Sequence, residues 1–410
     1  MKGEIREATV IISPGTDPSL LVRPVSGVPL LVRTLLSLKR QGIDHVSLVD
    51  DGDGIPDDPR LSGLEIRAAS VEDLPDSPQI VLPANLVWDD RLLRSVLAGR
   101  GDGGGLFISC GNREAAVEAS QKIMRMKDAT EPVRGAFRIR TLSDFDEAGR
   151  LLLRASAKDT DGIVARHLNR RVSGAVTSLL VDLPLSPNTV TAAVALVGAA
   201  AIALVLAGGY TSMAFGAFLF VLNSILDGVD GELARLRFQE SPLGGWLDRA
   251  SDKAVMIGFY LAAFARLLID GPSSPALMTA GILSVGGFGL GLPMVYLYGF
   301  LRKRRGGGEP IVPAGGPRRS VDLFAYEVVF GGAIFRIEEE AEGPVHDVAS
   351  GVGLLTKNDF LAMVYLALAL AGRLPWIFWI VAPLGAGNIL LGLYGLTMLM
   401  MDGFRRDRRG

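Results

Sequence analysis

The sequence predicts a protein of two parts: an α/β domain followed by an all-α polytopic membrane domain of six transmembrane helices. Apolar residues make up 49% and charged residues 21% of the 410 residues, which is too apolar for a protein that is only soluble. The apolar excess is uneven. Charged and apolar residues are mixed up to about residue 180, whereas long apolar runs with short polar breaks follow from residue 189. The first part is therefore expected to lie in water and the second in a lipid bilayer.

Alternating strand and helix patterns predict the α/β domain, which we place at residues 1–140. Short β-rich runs lie at 8–13, 45–49 and 79–82, and a helical pattern covers 29–40 between the first two. Strands that alternate with helices favour a mainly parallel sheet.

A linker and an interfacial helix are predicted at residues 141–185. Positive charges near Arg166, Arg170 and Arg171 precede the amphipathic stretch VSGAVTSLLV. A basic amphipathic helix of this kind is expected to lie against anionic lipid headgroups.

The membrane domain is predicted at residues 186–402, ahead of a basic tail at 403–410. Most of its apolar segments reach the roughly 20 residues that are needed to cross a bilayer. The six segments are 188–207, 212–234, 245–268, 276–300, 358–373 and 375–401. Arginines crowd residues 302–305 and the tail, so the positive-inside rule places both in the cytoplasm, together with the α/β domain.

Charge and cysteine content fit a cytoplasmic domain beside a cell (inner) membrane. The net charge of −2 excludes a generally basic nucleic-acid binder, so no nucleic-acid partner is expected. The single cysteine, Cys110, cannot form an internal disulfide and is interpreted as a structural thiol. The first thirty residues lack the apolar core of a cleavable signal peptide.

Four aspartates in the second and third apolar segments are the strongest functional signal. Asp227 and Asp230 are spaced i, i+3, and Asp248 and Asp252 are spaced i, i+4, so each pair projects from one helix face. A hairpin through Pro242 would make the two helices neighbours. Carboxylates at membrane depth are costly unless they are paired or bound to metal, so they indicate a functional site.

Clustered carboxylates repel one another unless cations neutralise them. Oxygen ligands suit Mg²⁺ or Mn²⁺, and two such ions could hold the attacking and leaving oxygens of a phosphoryl displacement. The glycines among the acids leave room for a bulky ligand to approach the backbone. These residues therefore predict a site for a diphosphate and two divalent ions, with all four aspartates as candidate metal ligands.

The same region resembles the CDP-alcohol phosphotransferase (CDP-alcohol phosphatidyltransferase) family, whose motif is D-x2-D-G-x2-A-R-x8-G-x3-D-x3-D. All eight specified positions match at the right spacing: Asp227, Asp230, Gly231, Ala234, Arg235, Gly244, Asp248 and Asp252. The resemblance implies a six-helix fold and a homodimer. It also implies an EC 2.7.8.- transferase whose partners are a CDP-activated donor, an alcohol acceptor and membrane lipid.

The resemblance also implies a role for each residue of the motif. The first three aspartates would bind metal and the CDP diphosphate, and Asp252 would be the catalytic base that deprotonates the acceptor hydroxyl as CMP leaves. The implied CDP-binding residues are Asp227, Asp230, Gly231, Ala234, Arg235 and Gly244.

A wider resemblance, at 161–173 and 223–232, is to proteins that fuse an inositol-1-phosphate cytidylyltransferase to a di-myo-inositol-phosphate-phosphate synthase. The α/β domain departs from that pattern. Its opening loop, within residues 12–35, has one glycine and lacks lysine, and Pro83–Asn85 occupy the place of a metal-binding aspartate. We therefore expect an inactive nucleotidyltransferase-like fold.

Several assignments stay open on sequence alone. Arg318, Arg319 and Lys357 are candidates for binding a phosphorylated acceptor near the cytoplasmic mouth. Asn188 and Thr191 either cap the first membrane helix or contact substrate. The donor is CDP-diacylglycerol or a CDP-polyol, in phospholipid or inositol phosphodiester synthesis. The alternatives are a bifunctional cytidylyltransferase/phosphotransferase, or an α/β domain that acts as a regulatory or scaffold module.

Overall fold

The computed structural model forms two compact units. The first comprises Met1–Asp159, Gly174–Pro187 and Gly231–Ser241, and the second comprises Thr160–Ser173, Asn188–Asp230 and Pro242–Gly410. The structure describes residues 5–13, 16–49, 55–100, 104–125, 133, 135–156, 169–271, 273–294, 297–298, 301 and 358–407.

A five-stranded sheet, in the order β5-β4-β1-β6-β8, is the centre of the first unit. Its strands are β1 (Glu7–Ile11), β4 (His45–Val49), β5 (Glu65–Ala69), β6 (Gln79–Pro83) and β8 (Ile108–Cys110). β1 pairs in parallel with both β4 and β6, β4 pairs in parallel with β5, and β8 is antiparallel to β6. The mainly parallel sheet that the sequence predicts is confirmed.

Helix α2 (Leu30–Arg40) covers one face of this sheet and supplies much of its core. Nine of its eleven residues are buried, including Leu30, Leu35 and Leu38, which pack in one apolar cluster with Ile80 and Leu82 of β6. Burial of such aliphatic side chains is the main term that stabilises a domain of this kind. The helix also buries the cation Arg33.

The first unit has further helices and strands. They are α1 (Pro18–Val22), β2 (Pro24–Val25), β3 (Val28–Pro29), β7 (Leu86–Trp88), α3 (Asp90–Leu97), α4 (Arg113–Arg125), β9 (Ala136–Arg138), α5 (Asp144–Ala155) and, from Gly174 onward, α6 (Arg170–Leu180). α5 and α6 lie within the region 141–185, for which the sequence predicts a linker and an interfacial helix, and residues 157–168 of this region lie outside the described residues.

Cys110 is a buried structural thiol, as its solitary occurrence suggests. Only 3% of the residue is exposed, and burial raises the pKa of its thiol to about 11. Since the thiolate is the reactive form, this cysteine is expected to be inert near neutral pH.

The second unit is helical where the structure describes it. They are α7 (Pro187–Ala207), α8 (Tyr210–Arg237), α9 (Pro242–Ile269), α10 (Pro275–Gly286) with a π-helical continuation at Gly287–Gly291, α11 (Asn358–Leu370) and α12 (Ile377–Asp407). The end of α8, from Gly231, belongs to the first unit. Each predicted apolar segment overlaps one of these helices within the described residues; residues 295, 296, 299 and 300 of the fourth segment lie outside them.

Four described helical stretches are long and apolar enough to cross a membrane: Pro187–Ala207, Tyr210–Arg237, Pro275–Met294 and Leu374–Thr397. α9 has the length of a membrane helix but carries Asp248, Arg249, Asp252 and Lys253. α11 is apolar but has only 13 residues. The chain therefore contains a membrane part with four candidate spans, which is a coarser result than the six predicted.

Aromatic residues and glycines pack the helices of the second unit closely. Phe259 of α9 stacks on Phe220 of α8 with ring centroids 4.2 Å apart, and the buried hydroxyls of Tyr260 and Tyr365 are 3.0 Å apart. Gly287 meets the backbone of Gly385 in α12 so closely that an added Cβ would lie 2.1 Å from the Gly385 Cα. Small residues at such a contact allow two helix backbones to approach.

Replacing Gly287 with alanine is expected to destabilise the protein by about 1–3 kcal/mol, because overpacking forces backbone to move. Gly289→Ala is the matched control, since it lies in the same π-helical segment and an added Cβ meets nothing within 4 Å. Thermal unfolding in detergent should show a lower midpoint for Gly287→Ala alone. Equal midpoints for the two variants would contradict this account of the contact.

Candidate functional site

The four motif aspartates lie on two consecutive helices of 28 residues each. α8 carries Asp227 and Asp230, and α9 carries Asp248 and Asp252. Within each helix the spacing places the two carboxylates on one face. The short connection ends at Pro242, whose fixed φ suits the first position of α9.

Three of the four carboxylates converge. Oxygen atoms of Asp227, Asp248 and Asp252 all lie within 4.8 Å of one another, and all three residues are partly buried. Carboxylate oxygens are the ligands that Mg²⁺ and Mn²⁺ prefer. The donor set therefore fits the divalent ions that the sequence predicts, and neutralisation by a cation would remove the repulsion among the three groups.

Asp230 has a different environment. It is 5% exposed, and its carboxylate accepts a hydrogen bond from the hydroxyl of Thr191 on α7. It is not in the group of three carboxylates that approach within 4.8 Å. Asn223 of α8 also bonds α7, by donating to the Val194 carbonyl at 2.8 Å. Two polar contacts thus hold α7 against the face of α8 that bears Asp230.

Thr191 therefore has a role that sequence reasoning missed. The sequence leaves it between a helix cap and a substrate contact, whereas its hydroxyl orients a motif aspartate. The available signal was its position near the start of a membrane helix, where a polar side chain needs a partner. The identity of that partner, 39 residues away, has no local signal.

The glycine and arginine of the motif lie against each other. A Cβ added to Gly231 would lie 3.2 Å from Nη1 of Arg235, one turn further along α8. The space that Gly231 leaves is therefore beside the Arg235 guanidinium, which is a group suited to phosphate. Ala234 and Gly244 are partly buried, and the Ala234 carbonyl accepts from the Gln239 backbone at 2.9 Å.

The three candidate acceptor residues, Arg318, Arg319 and Lys357, lie outside the residues that the structure describes. Their role stays a prediction.

The end of α8 contains a buried charge that the sequence analysis did not single out. Arg237 is 7% exposed and donates to the carbonyls of Leu180, Val181, Leu183 and Leu185, which follow the last turns of α6. One turn earlier, Glu232 accepts a hydrogen bond from Thr177 of α6 at 2.7 Å. The helix predicted to be interfacial is therefore bonded to the end of α8.

Residues 184–305 match the family model described as CDP-alcohol phosphatidyltransferase. This range contains the four motif aspartates and the helices that carry them.

Several curated proteins are similar to part of this chain. A protein of Thermococcus kodakarensis named bifunctional IPC transferase and DIPP synthase is 41% identical over 133 residues, which is 32% of this chain and 29% of the relative. Proteins of the same name from Aquifex aeolicus and Rubrobacter xylanophilus are 39% and 37% identical over 129 and 131 residues, each 31% of this chain and 29% of the relative. The similarity spans under a third of these relatives' length.

Proposed function

We propose that this chain is a CDP-alcohol phosphotransferase that moves a substituted phosphoryl group from a CDP-activated donor to an alcohol and releases CMP. The observation that carries the proposal is the convergence of Asp227, Asp248 and Asp252 within 4.8 Å. The complete eight-position motif and the match of residues 184–305 to the family support it.

The aspartates would divide the work of the reaction. Asp227, Asp230 and Asp248 would hold two divalent ions, Mg²⁺ or Mn²⁺, and Asp252 would contribute a further oxygen to the same site. Bound ions would neutralise charge on the diphosphate and orient the reacting oxygens. Positioning and electrostatic stabilisation would account for most of the rate, because the reaction needs no covalent enzyme intermediate.

Asp252 is the proposed base. Its carboxylate would take the proton of the acceptor hydroxyl as that oxygen bonds to the donor β-phosphorus, and the bond from the β-phosphorus to the bridging oxygen would break to release CMP. Arg235 would pair with the diphosphate, with Gly231 providing the space beside its guanidinium. Ala234 and Gly244 would allow the nucleotide to lie close to the backbone.

Six crossings, with the α/β domain and the mouth of the site in the cytoplasm, are part of the proposal. α9 is 28 residues long, and two of its charged residues, Asp248 and Asp252, are assigned to the site, so the low hydropathy of this helix does not argue against a crossing. α11, with 13 residues, would be the fifth crossing. A homodimer in a cell membrane is proposed from the family resemblance.

The substrates are proposed by class. The resemblance to fused inositol-1-phosphate cytidylyltransferase and di-myo-inositol-phosphate-phosphate synthase proteins favours a polyol acceptor such as inositol or inositol phosphate. The curated relatives, named bifunctional IPC transferase and DIPP synthase, agree with this choice. The donor is either CDP-diacylglycerol or a water-soluble CDP-polyol, since the fold supports both.

The proposed reaction is tested by CMP release from the purified protein in detergent. CDP-diacylglycerol or CDP-inositol would be paired with glycerol phosphate, inositol or inositol phosphate, with and without Mg²⁺ or Mn²⁺. Metal-dependent CMP release with one pair is expected. Silence across this panel and a wider one, from protein that is folded and binds Mn²⁺, would reject the transferase.

The α/β domain is proposed to be a nucleotidyltransferase-like fold without cytidylyltransferase activity. Asn85, which follows β6 where a metal-binding aspartate is absent, is 6% exposed and donates to the Ile139 carbonyl at 2.7 Å. Its side chain is thus used within the fold.

The full-length chain is expected to release no pyrophosphate from CTP. Mg²⁺ and a panel of sugar phosphates would be supplied to the Asp252→Asn variant, so that transferase turnover does not interfere. Pyrophosphate above the level of a no-enzyme control would instead establish the bifunctional alternative.

A further inference from the structure

Three arginines of the α/β part surround the carboxyl end of α8, and we call them the arginine clamp: Arg33, Arg40 and Arg60. They lie in the first unit together with residues 231–241. Arg33 donates to the Leu236 carbonyl at 2.6 Å, Arg40 to the Arg235 carbonyl at 3.3 Å, and Arg60 to the Arg237 carbonyl at 2.9 Å.

The accepting carbonyls are those that a helix cannot satisfy by itself. The last four carbonyls of an α-helix have no intrahelical partner, and the end of the helix has a partial negative charge. Three consecutive carbonyls of the last turn of α8 each receive a guanidinium hydrogen bond. The clamp thus supplies both donors and positive charge where the helix needs them.

Arg33 is the central member of the clamp. It is 3% exposed within the apolar helix α2, and it also donates to the Val25 carbonyl at 2.8 and 3.1 Å. Burial lowers the pKa of Arg33, yet a guanidinium remains protonated at neutral pH. A buried charge is tolerated only where its donors are satisfied, and one of its acceptors is 203 residues away.

The turn after α8 supports the same conclusion. The Gln239 and Phe238 backbone N–H groups bond the carbonyls of Ala234 and Arg235, which is the Schellman pattern of a helix end. The position that usually holds glycine is occupied by Phe238, with φ of 54°. A bulky residue in this conformation is a true outlier and persists only when its surroundings hold it.

Two clamp arginines hold that ring. The guanidinium carbons of Arg33 and Arg40 lie 5.3 and 4.3 Å from the centre of the Phe238 ring, within the range of a cation–π contact. Arg40 also forms an ion pair with Glu240. The helix end, the strained turn and the start of the connection to α9 are therefore all held by the same side chains.

We propose that Arg33 is a positioning residue for the transfer reaction, fixing the end of α8 and the turn to α9 so that the aspartates of the two helices converge. Asp230 is six residues before Leu236, or about 9 Å along the helix. The α/β part, without any reaction of its own, would thereby set the geometry of the metal site. This inference rests on the proposed function for the transfer reaction and for the metal site.

The test compares full-length Arg33→Met, Arg33→Lys and Arg67→Met proteins in detergent. Arg67 is the matched control because it belongs to the same α/β part and donates to Ser47 Oγ within the sheet at 3.0 Å. Mn²⁺ affinity would be measured by EPR, kcat and donor KM by CMP release, and folding by thermal unfolding. The Mn²⁺ titration needs no substrate, so it decides the role of Arg33 even if the proposed transferase activity fails.

A positioning role predicts that Arg33→Met weakens Mn²⁺ binding at least about 3-fold and lowers kcat at least about 10-fold, with a smaller change in KM. Arg33→Lys should recover part of both losses, and Arg67→Met should match the wild type. If Arg33→Met only lowers the unfolding midpoint, with Mn²⁺ affinity and kcat per folded protein unchanged, the proposal is wrong.

Arg60→Met covers the case in which Arg33→Met does not fold. The Arg60 side chain is 26% exposed, so the fold tolerates its loss more easily. The substitution removes one hydrogen bond of the arginine clamp, to the Arg237 carbonyl. Arg60→Met is expected to weaken Mn²⁺ binding and lower kcat less than Arg33→Met does. Wild-type Mn²⁺ affinity for Arg60→Met would overturn the proposal.

Discussion

Asp252→Asn is expected to abolish CMP release while donor binding is retained. The amide keeps the size of the side chain but cannot accept the proton of the acceptor hydroxyl. Because general-base catalysis contributes about 10²–10⁴-fold, a loss of kcat in that range is expected. Donor binding by equilibrium titration should change far less than kcat, since Asp227 and Asp248, two of the other proposed metal ligands, would remain.

Asp270→Asn is a suitable control for Asp252→Asn. Asp270 directly follows α9, and its exposed carboxylate pairs with Arg266 four residues earlier. The same chemical change there should leave CMP release intact. A wild-type rate for Asp252→Asn would reject the assignment of this aspartate as the base.

Asp248→Asn is expected to change the metal dependence more than the maximal rate. Asp248 contributes an oxygen to the group within 4.8 Å, and an amide cannot supply a charged ligand there. Loss of an outer-shell partner already costs about 10–100-fold in metal affinity, so at least about 10-fold is expected for a direct ligand. The half-saturating Mg²⁺ concentration for CMP release would measure this shift.

The rates of CMP release by the two aspartate variants should respond differently when the metal-ion concentration is raised. Saturating Mg²⁺ or Mn²⁺ should restore much of the rate of Asp248→Asn, because the base is intact, but little of the rate of Asp252→Asn. An unchanged half-saturating metal concentration for Asp248→Asn, from folded protein, would remove Asp248 from the metal site.

Local patterns in the sequence were sufficient to predict individual helices and strands of the fold. The run at 45–49 is a strand with those same bounds, and the helical pattern at 29–40 differs from α2 by one residue. Alternation and helical periodicity reflect which side chains face a core, so they can be read over short windows. The i, i+3 and i, i+4 spacing likewise placed each aspartate pair on one helix face.

The different surroundings of the four aspartates could not be predicted from local patterns. The spacing of the motif does not separate Asp230 from the other carboxylates, but three converge, whereas Asp230 accepts a hydrogen bond from Thr191 on a different helix. The distinction depends on how α7 packs against α8. Packing between helices is set by side-chain shape over many positions, which the spacing of one motif does not contain.

Sequence by itself determined that this protein has a mainly parallel α/β part, a membrane part and paired carboxylates on two adjacent helices. Only the tertiary structure decided that Arg33 reaches the Leu236 carbonyl and that Phe238 occupies the turn normally given to glycine. The physical reason is range. Periodicity and spacing act within one or two turns, whereas a helix end is satisfied by whichever distant donors the completed fold brings to it.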